Sequence, residues 1–231
     1  INFPSIPIYE CRGTRRAVPG ARAQPGMISG TPGPWGQARP ALDHGELIGG
    51  VLQEADATAH CRVYAIGALT QGRQGQALAD MAGMKAAGAV AFSDDGDGIQ
   101  DAGMCLKAMQ AVSRLDSLFI QHCEDRSLAA GGCMHLGAVS ARLGLRGLTA
   151  LAEEVMVQRD VQLAADAETR YHMCHISTAG SVEIIRRAKK SGGRVSTEVC
   201  PHHLLLTDEA ITGADTNFKM NPPLRTAADI A

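Results

Sequence analysis

AVAFSDDGDGIQDAGMCLKAMQAVSRLDSLFIQHCED, residues 89–125, carries the pattern that decides the fold. Ala89–Ser93 is a short apolar run that breaks into Asp94-Asp95-Gly96. MCLKAMQAVSRL follows with helical spacing, and Ser117–His122 is again apolar before it turns polar at Cys123-Glu124-Asp125. Strand, helix, strand with continuously apolar strands predicts a right-handed crossover and parallel pairing covered on both faces.

The same alternation extends outward. ELIGGVLQEADAT reads as a helix, Arg62–Ala68 as a strand, and ALADMAGMKAAG as a helix ending at Gly88. On the far side, TALAEEVMVQRDVQLAADA is a long amphipathic helix and Thr169–His175 a strand. SVEIIRRAKKSGG is a further helix, and Arg194–Cys200 a further strand. Repeated βα units predict an α/β fold, either an open doubly wound sheet or a (β/α)8 barrel. No G-x-G-x-x-G opens a helix after a strand, which disfavours a dinucleotide site.

Composition narrows the class. The chain has 231 residues, 45% of them hydrophobic, with 22 basic against 24 acidic residues. That suffices for one sizeable core and leaves no electrostatic footprint for nucleic acid. No stretch of 18 apolar residues is present, so no membrane span is expected, and the first residues show no secretory signal. Seven Cys without paired spacing read as reduced thiols of a cytoplasmic protein.

Residues 1–38 differ from the rest. Seven of the ten Pro lie within residues 1–40, with five Arg and a single acid, Glu10. Such a stretch has no period with which to bury a face. The expected organisation is an irregular segment 1–38 and a folded domain 39–231.

Candidate chemistry sits at the expected strand ends. In parallel α/β folds the carboxyl ends of strands share one face, which holds the site. Asp94 or Asp95, His122 and His175 fall there. A carboxylate with two imidazoles suits Zn²⁺, although each residue alone has a plain structural reading as a turn or hydrogen-bonding group. His172 falls on the opposite strand face from His175 and reads as structural. His202 and His203, after Pro201, leave a loop role and a substrate-facing role open. The cysteines read as small apolar residues rather than nucleophiles.

Several motifs taken together resemble the dihydroorotases of the amidohydrolase superfamily, in particular the larger bacterial type. They are AFSDDG (91–96), QHCED (121–125), HMCHIST (172–178), VSTEVCPHHLLLTDE (195–209) and KMNPPLR (219–225), with RVYAIGALTQGRQGQALADM (62–81) also similar. The resemblance covers about residues 39–231. It implies a metal-dependent (β/α)8 TIM barrel, here a partial barrel of about five βα units. It implies one or two zinc ions and reversible cyclisation of N-carbamoyl-L-aspartate to dihydroorotate in pyrimidine biosynthesis. Carried over by position, Asp95 matches the bridging carboxylate, His122 and His175 match metal ligands, and Asn221 matches a substrate contact. Hydantoinases and allantoinases use a carboxylated Lys where Asp95 stands.

The family's early His-x-His-x-Arg and Met-Pro-Asn-Thr are not found, and its match begins near Arg39. A frame-shifted or mis-called reading of residues 1–38 is the expected cause. The family's late Asp, its general base, falls beyond Ala231, so no catalytic residue is assigned and the chain as given is expected to be an inactive fragment. Two other readings stay open: a non-catalytic scaffold for aspartate carbamoyltransferase, and a hydantoinase- or allantoinase-type cyclic amidase. A homo-oligomer is also left open.

Overall fold

The computed structural model describes residues 28–29, 40–60 and 62–231. The expected irregular segment 1–38 lies outside the described residues except for Ile28–Ser29. The chain divides into two compact units, one ending at Ile120 and the other starting at Gln121.

The first unit is a series of strand–helix repeats. β1 (Ile28–Ser29) pairs in parallel with β2 (Ala65–Gly67), Ile28 opposite Ala65. Between them runs α1 (Gly45–Thr58), which buries Ile48. α2 (Met81–Ala86) buries Met81 and Met84 and leads into β3 (Ala91–Ser93), which pairs in parallel with β2. α3 (Ala102–Arg114) then precedes β4 (Leu118–Gln121), with Phe92 opposite Phe119 and Ser93 opposite Ile120. α3 buries Cys105, Ala108, Met109 and Val112, one stripe at i, i+3, i+4 and i+7. Its start is fixed by Asp101, whose carboxylate accepts the Met104 N–H at 2.7 Å.

Several expected elements are shorter than read, among them the strands read over 169–175 and 194–200, which span Arg170–Met173 and Val195–Thr197. The helix expected from Ala77 begins at Met81, because residues 77–79 make their hydrogen bonds elsewhere. Gln71 N–H donates to the Ala77 carbonyl and Ala79 N–H to that of Leu69, and Asp80 then caps the helix by accepting from Gly83 N–H at 2.9 Å. The helix ends at Ala86 with Ala87 as its C-cap, and the expected Gly88 follows at φ +110°, a backbone region that L side chains rarely adopt. The strand expected to reach Ala68 stops at Gly67, since Ala68 N–H donates to the Leu42 carbonyl.

Asp94 holds the end of β3 to the loop after β2. One carboxylate oxygen accepts the N–H groups of Leu69 (2.8 Å) and Thr70 (3.2 Å), and the other accepts the Thr70 hydroxyl. Burial pushes this carboxyl up to about 6 despite those donors. Asp94→Ala leaves three buried donors without an acceptor, and each such group costs about 1–3 kcal/mol. The expected loss is about 3 kcal/mol or more in urea denaturation, with Asp94→Asn, which keeps one acceptor oxygen, clearly milder.

The second unit continues the α/β alternation with additions. α4 (Arg126–Ala129) and α5 (Ala138–Leu143) flank a small parallel pair, β5 (Met134–His135) with β6 (Gly147–Leu148). α6 (Leu151–Asp166) leads to β7 (Arg170–Met173), and α7 (Ala179–Lys190) to β8 (Val195–Thr197). β7 and β8 pair in parallel, Tyr171 opposite Val195 and Met173 opposite Thr197. α7 is capped by the Thr178 hydroxyl, which accepts from Ser181 N–H at 3.1 Å, and its last turn carries Arg187, Lys189 and Lys190 against the negative helix end. α8 (Pro201–Leu205) and α9 (Ala227–Ile230) complete the unit. Met134, Val139, Ile211 and Leu224 form one of its apolar clusters. Among the described residues no helix is long and apolar enough to cross a membrane.

Candidate metal centre

The second unit brings two of the expected ligands together. His122 follows β4 directly and His175 follows β7 by two residues. Both are almost fully buried, at 4% and 3% exposure. Nδ1 of His122 lies 3.0 Å from Nε2 of His175, with the rings edge to face at 72°. Two nitrogens held at 2.0–2.1 Å on a tetrahedral zinc stand about 3.3 Å apart. The two nitrogens therefore stand within a few tenths of an ångström of the separation that one ion requires.

Local backbone supports this aim. His175 sits at φ +36°, a region L-residues rarely occupy, and such strain persists only where surroundings enforce it. Its N–H donates to Glu198 Oε1 at 3.3 Å, which ties it to the strand end of β8. Burial first, then the charges of His122 and His203, hold the His175 imidazole well below its ordinary 6.5. The ring is neutral at neutral pH, the form that ligates.

The far side of His122 is also furnished. Its Nε2 lies 3.7 Å from Glu124 Oε2 and 3.4 Å from the Asn221 amide. Burial opposes ionisation of Glu124, but its hydrogen bonding and attraction to His122 outweigh this and hold the carboxyl below the usual range. A carboxylate on the outer nitrogen is the arrangement that orients a ligating imidazole. Asn221 itself is exposed to solvent.

Asp95 belongs to the first unit. It lies half-buried in the turn 95–97 that follows β3. Its neighbour Asp94, kept open as an alternative by the sequence, is the clasp described above. The structure thus unites His122, His175 and Asn221 within one unit. His172 turns to Ser196, Nδ1 to Oγ at 2.8 Å.

Sequence reasoning missed the buried polar frame beneath the pair. Glu153, on the inner stripe of α6, accepts the N–H groups of Ser177 and Thr178, both at 3.1 Å, and the Ser177 hydroxyl. Arg225 donates Nε–H to Ser177 Oγ at 3.0 Å and Nη1–H to the Leu148 carbonyl at 3.2 Å, and its Nη2 lies 3.8 Å from Glu153. A second frame surrounds Asp160, which accepts from Arg159 at 2.8 Å and from the Gln121 amide at 3.2 Å. Tyr171 stands 3.0 Å from Cys123 Sγ beside it. Arg225 and Glu124 lie inside the quoted motifs KMNPPLR and QHCED, the signal that pointed to them. His202 and His203 occupy the first turn of α8 rather than a loop, and with Cys200 they form a group whose ligand atoms all lie within 4.8 Å.

A family model described as dihydro-orotase-like matches residues 16–181. A dihydroorotase of Pelotomaculum thermopropionicum is 48% identical over 225 residues, 97% of this chain and 52% of that protein. One from Bacillus pumilus is 48% identical over 191 residues, 83% of this chain and 45% of that protein. The chain spans about half the length of the curated relatives it matches. Among solved structures, an L-hydantoinase of Arthrobacter aurescens superposes with a TM-score of 0.66 at 20% identity, covering 83% of this chain and 44% of that one. A D-hydantoinase gives 0.59 at 20% identity. The shared fold is α/β with parallel strands, consistent with a partial (β/α)8 barrel, and on these matches the chain belongs to the dihydro-orotase-like family.

Proposed function

We propose that this chain carries part of a dihydroorotase centre, for the reversible cyclisation of N-carbamoyl-L-aspartate to dihydroorotate. Asp95, His122 and His175 would hold one or two zinc ions, and Asn221 would contact substrate. The 3.0 Å approach of the two buried imidazoles carries the reading, and the names of the 48%-identical relatives support it.

As residue types, two imidazoles and a carboxylate form a borderline donor set of the kind zinc prefers. A bound zinc ion supplies Lewis acidity and makes water a nucleophile at neutral pH. The chain's own residues do the positioning. Glu124 orients His122 from its outer nitrogen, and the backbone bond to Glu198 holds His175. The exposed amide of Asn221 offers a donor to a substrate carboxylate while it remains beside His122. The hydantoinase likeness is one of fold, which does not fix substrate. No disulfide is recorded for the five described cysteines, in keeping with a cytoplasmic setting.

The test is ring opening. A zinc-loaded full-length protein from this gene is expected to open dihydroorotate and to leave hydantoin intact. His175→Asn in that protein is expected to remove the activity. Turnover of hydantoin but not dihydroorotate overturns the substrate, and full activity in His175→Asn overturns the site.

A further inference from the structure

We propose that Cys200, His202 and His203 form a second cation site, independent of the dihydroorotase reading, that takes zinc or another thiophilic divalent ion. Their ligand atoms lie within 4.8 Å of one another. Cys200 caps α8, Pro201 fixes the first helical position, and the two histidines follow at once, so one turn presents all three groups. The His202 and His203 rings stand 4.2 Å apart, tilted by 58°.

His203 is the fixed member. It is 6% exposed, and its Nε2 lies 3.1 Å from the Pro222 carbonyl oxygen, to which it donates its N–H. That bond selects the tautomer and leaves the lone pair on Nδ1. This Nδ1 is buried and has no hydrogen-bond partner among the described residues. A buried acceptor without a donor is costly in a protein. A cation on that lone pair removes the cost, and the outer bond to a backbone carbonyl is the usual companion of a ligating imidazole.

One sulfur and two nitrogens select for zinc-class ions over magnesium or calcium, which prefer oxygen. Three protein ligands leave a fourth position open to water or a ligand. Cys200 and His202 are both part-exposed. This site is separable from the first because Asp95, His122 and His175 include no thiol.

The probe is Co²⁺ alone, titrated into the purified chain with a phosphine reductant, reading the near-ultraviolet thiolate-to-cobalt charge-transfer absorption. The expected result is such a band, its final amplitude corresponding to one thiolate-bound cobalt per chain. Cys200→Ser, close to isosteric, is expected to abolish the band and lower the bound metal by one equivalent. His202→Gln, at a part-exposed position, is expected to weaken cobalt binding by more than the ~10–100-fold that loss of an outer partner costs. The double variant His122→Asn/His175→Asn is expected to keep the band. No thiolate band at saturating cobalt overturns the proposal, as does a band that survives Cys200→Ser. Loss of the band in a folded His122→Asn/His175→Asn protein overturns the independence of the two sites.

Discussion

Arg225→Met is expected to destabilise the protein by about 3–5 kcal/mol, the cost of removing one partner from a buried ion pair. Arg225 and Glu153 are each 2% exposed, so neither can recover solvation by reorienting. The guanidinium joins Ser177, the Leu148 carbonyl and His135, whose Nδ1 lies 3.3 Å from Nη1. Its removal strands the Glu153 carboxylate and frees the Leu148 carbonyl together. Arg225→Lys should recover only part of the loss, because a single ammonium cannot reach three partners that a planar fork spans. The double change Glu153→Met/Arg225→Met should cost much less than the single one, since it removes both charges. Urea denaturation followed by circular dichroism measures all three. A loss below about 1 kcal/mol in Arg225→Met means that the pair does not brace the unit.

His122→Ala or His175→Ala is expected to lower zinc affinity by more than about 100-fold. The reference is the 10–100-fold that outer-partner changes cost elsewhere. In the proposed site each imidazole would supply one of two nitrogens that stand 3.0 Å apart, so either change removes half of that pair. Glu124→Gln should fall inside the 10–100-fold range, because it leaves both nitrogens in place and removes only the carboxylate that orients His122. The ordering of ligand over outer partner is as informative as either value. Competition against a chromophoric chelator reads both. Equal losses for Glu124→Gln and His122→Ala would show that His122 does not touch the ion.

The sequence made the strands around 91–93 and 118–121 legible because apolar runs break into polar residues at one end, whereas 170–173 and 195–197 mix apolar and polar residues, Arg170 to Met173 alternating between part-buried and buried. The helices α3 and α7 were legible from their apolar stripes, but their capped starts were not: they were read from Met104 and Ser181, two residues inside Ala102 and Ala179. The elements between Arg126 and Leu148 were not. β5 and β6 are two residues each, too short to show a period, and α5 is six residues within a Gly-rich stretch. Glu153 and Asp160 misled in another way. On an amphipathic helix a carboxylate reads as solvent-facing, and only tertiary partners such as Arg225 and Tyr171 make burial tolerable. The His122–His175 approach was legible as a shared strand-end position. The left-handed backbone at His175 was not, since no residue type announces it.

The Arg225 brace also has an order in time. It follows Ser177 by 48 residues and His135 by 90. At ribosomal rates of about 5–20 residues per second, His135 waits roughly 5–20 s for its guanidinium neighbour. Over that interval Glu153 has no counter-charge from Arg225, and the nascent unit gains this fastening only as the KMNPPLR segment leaves the exit tunnel.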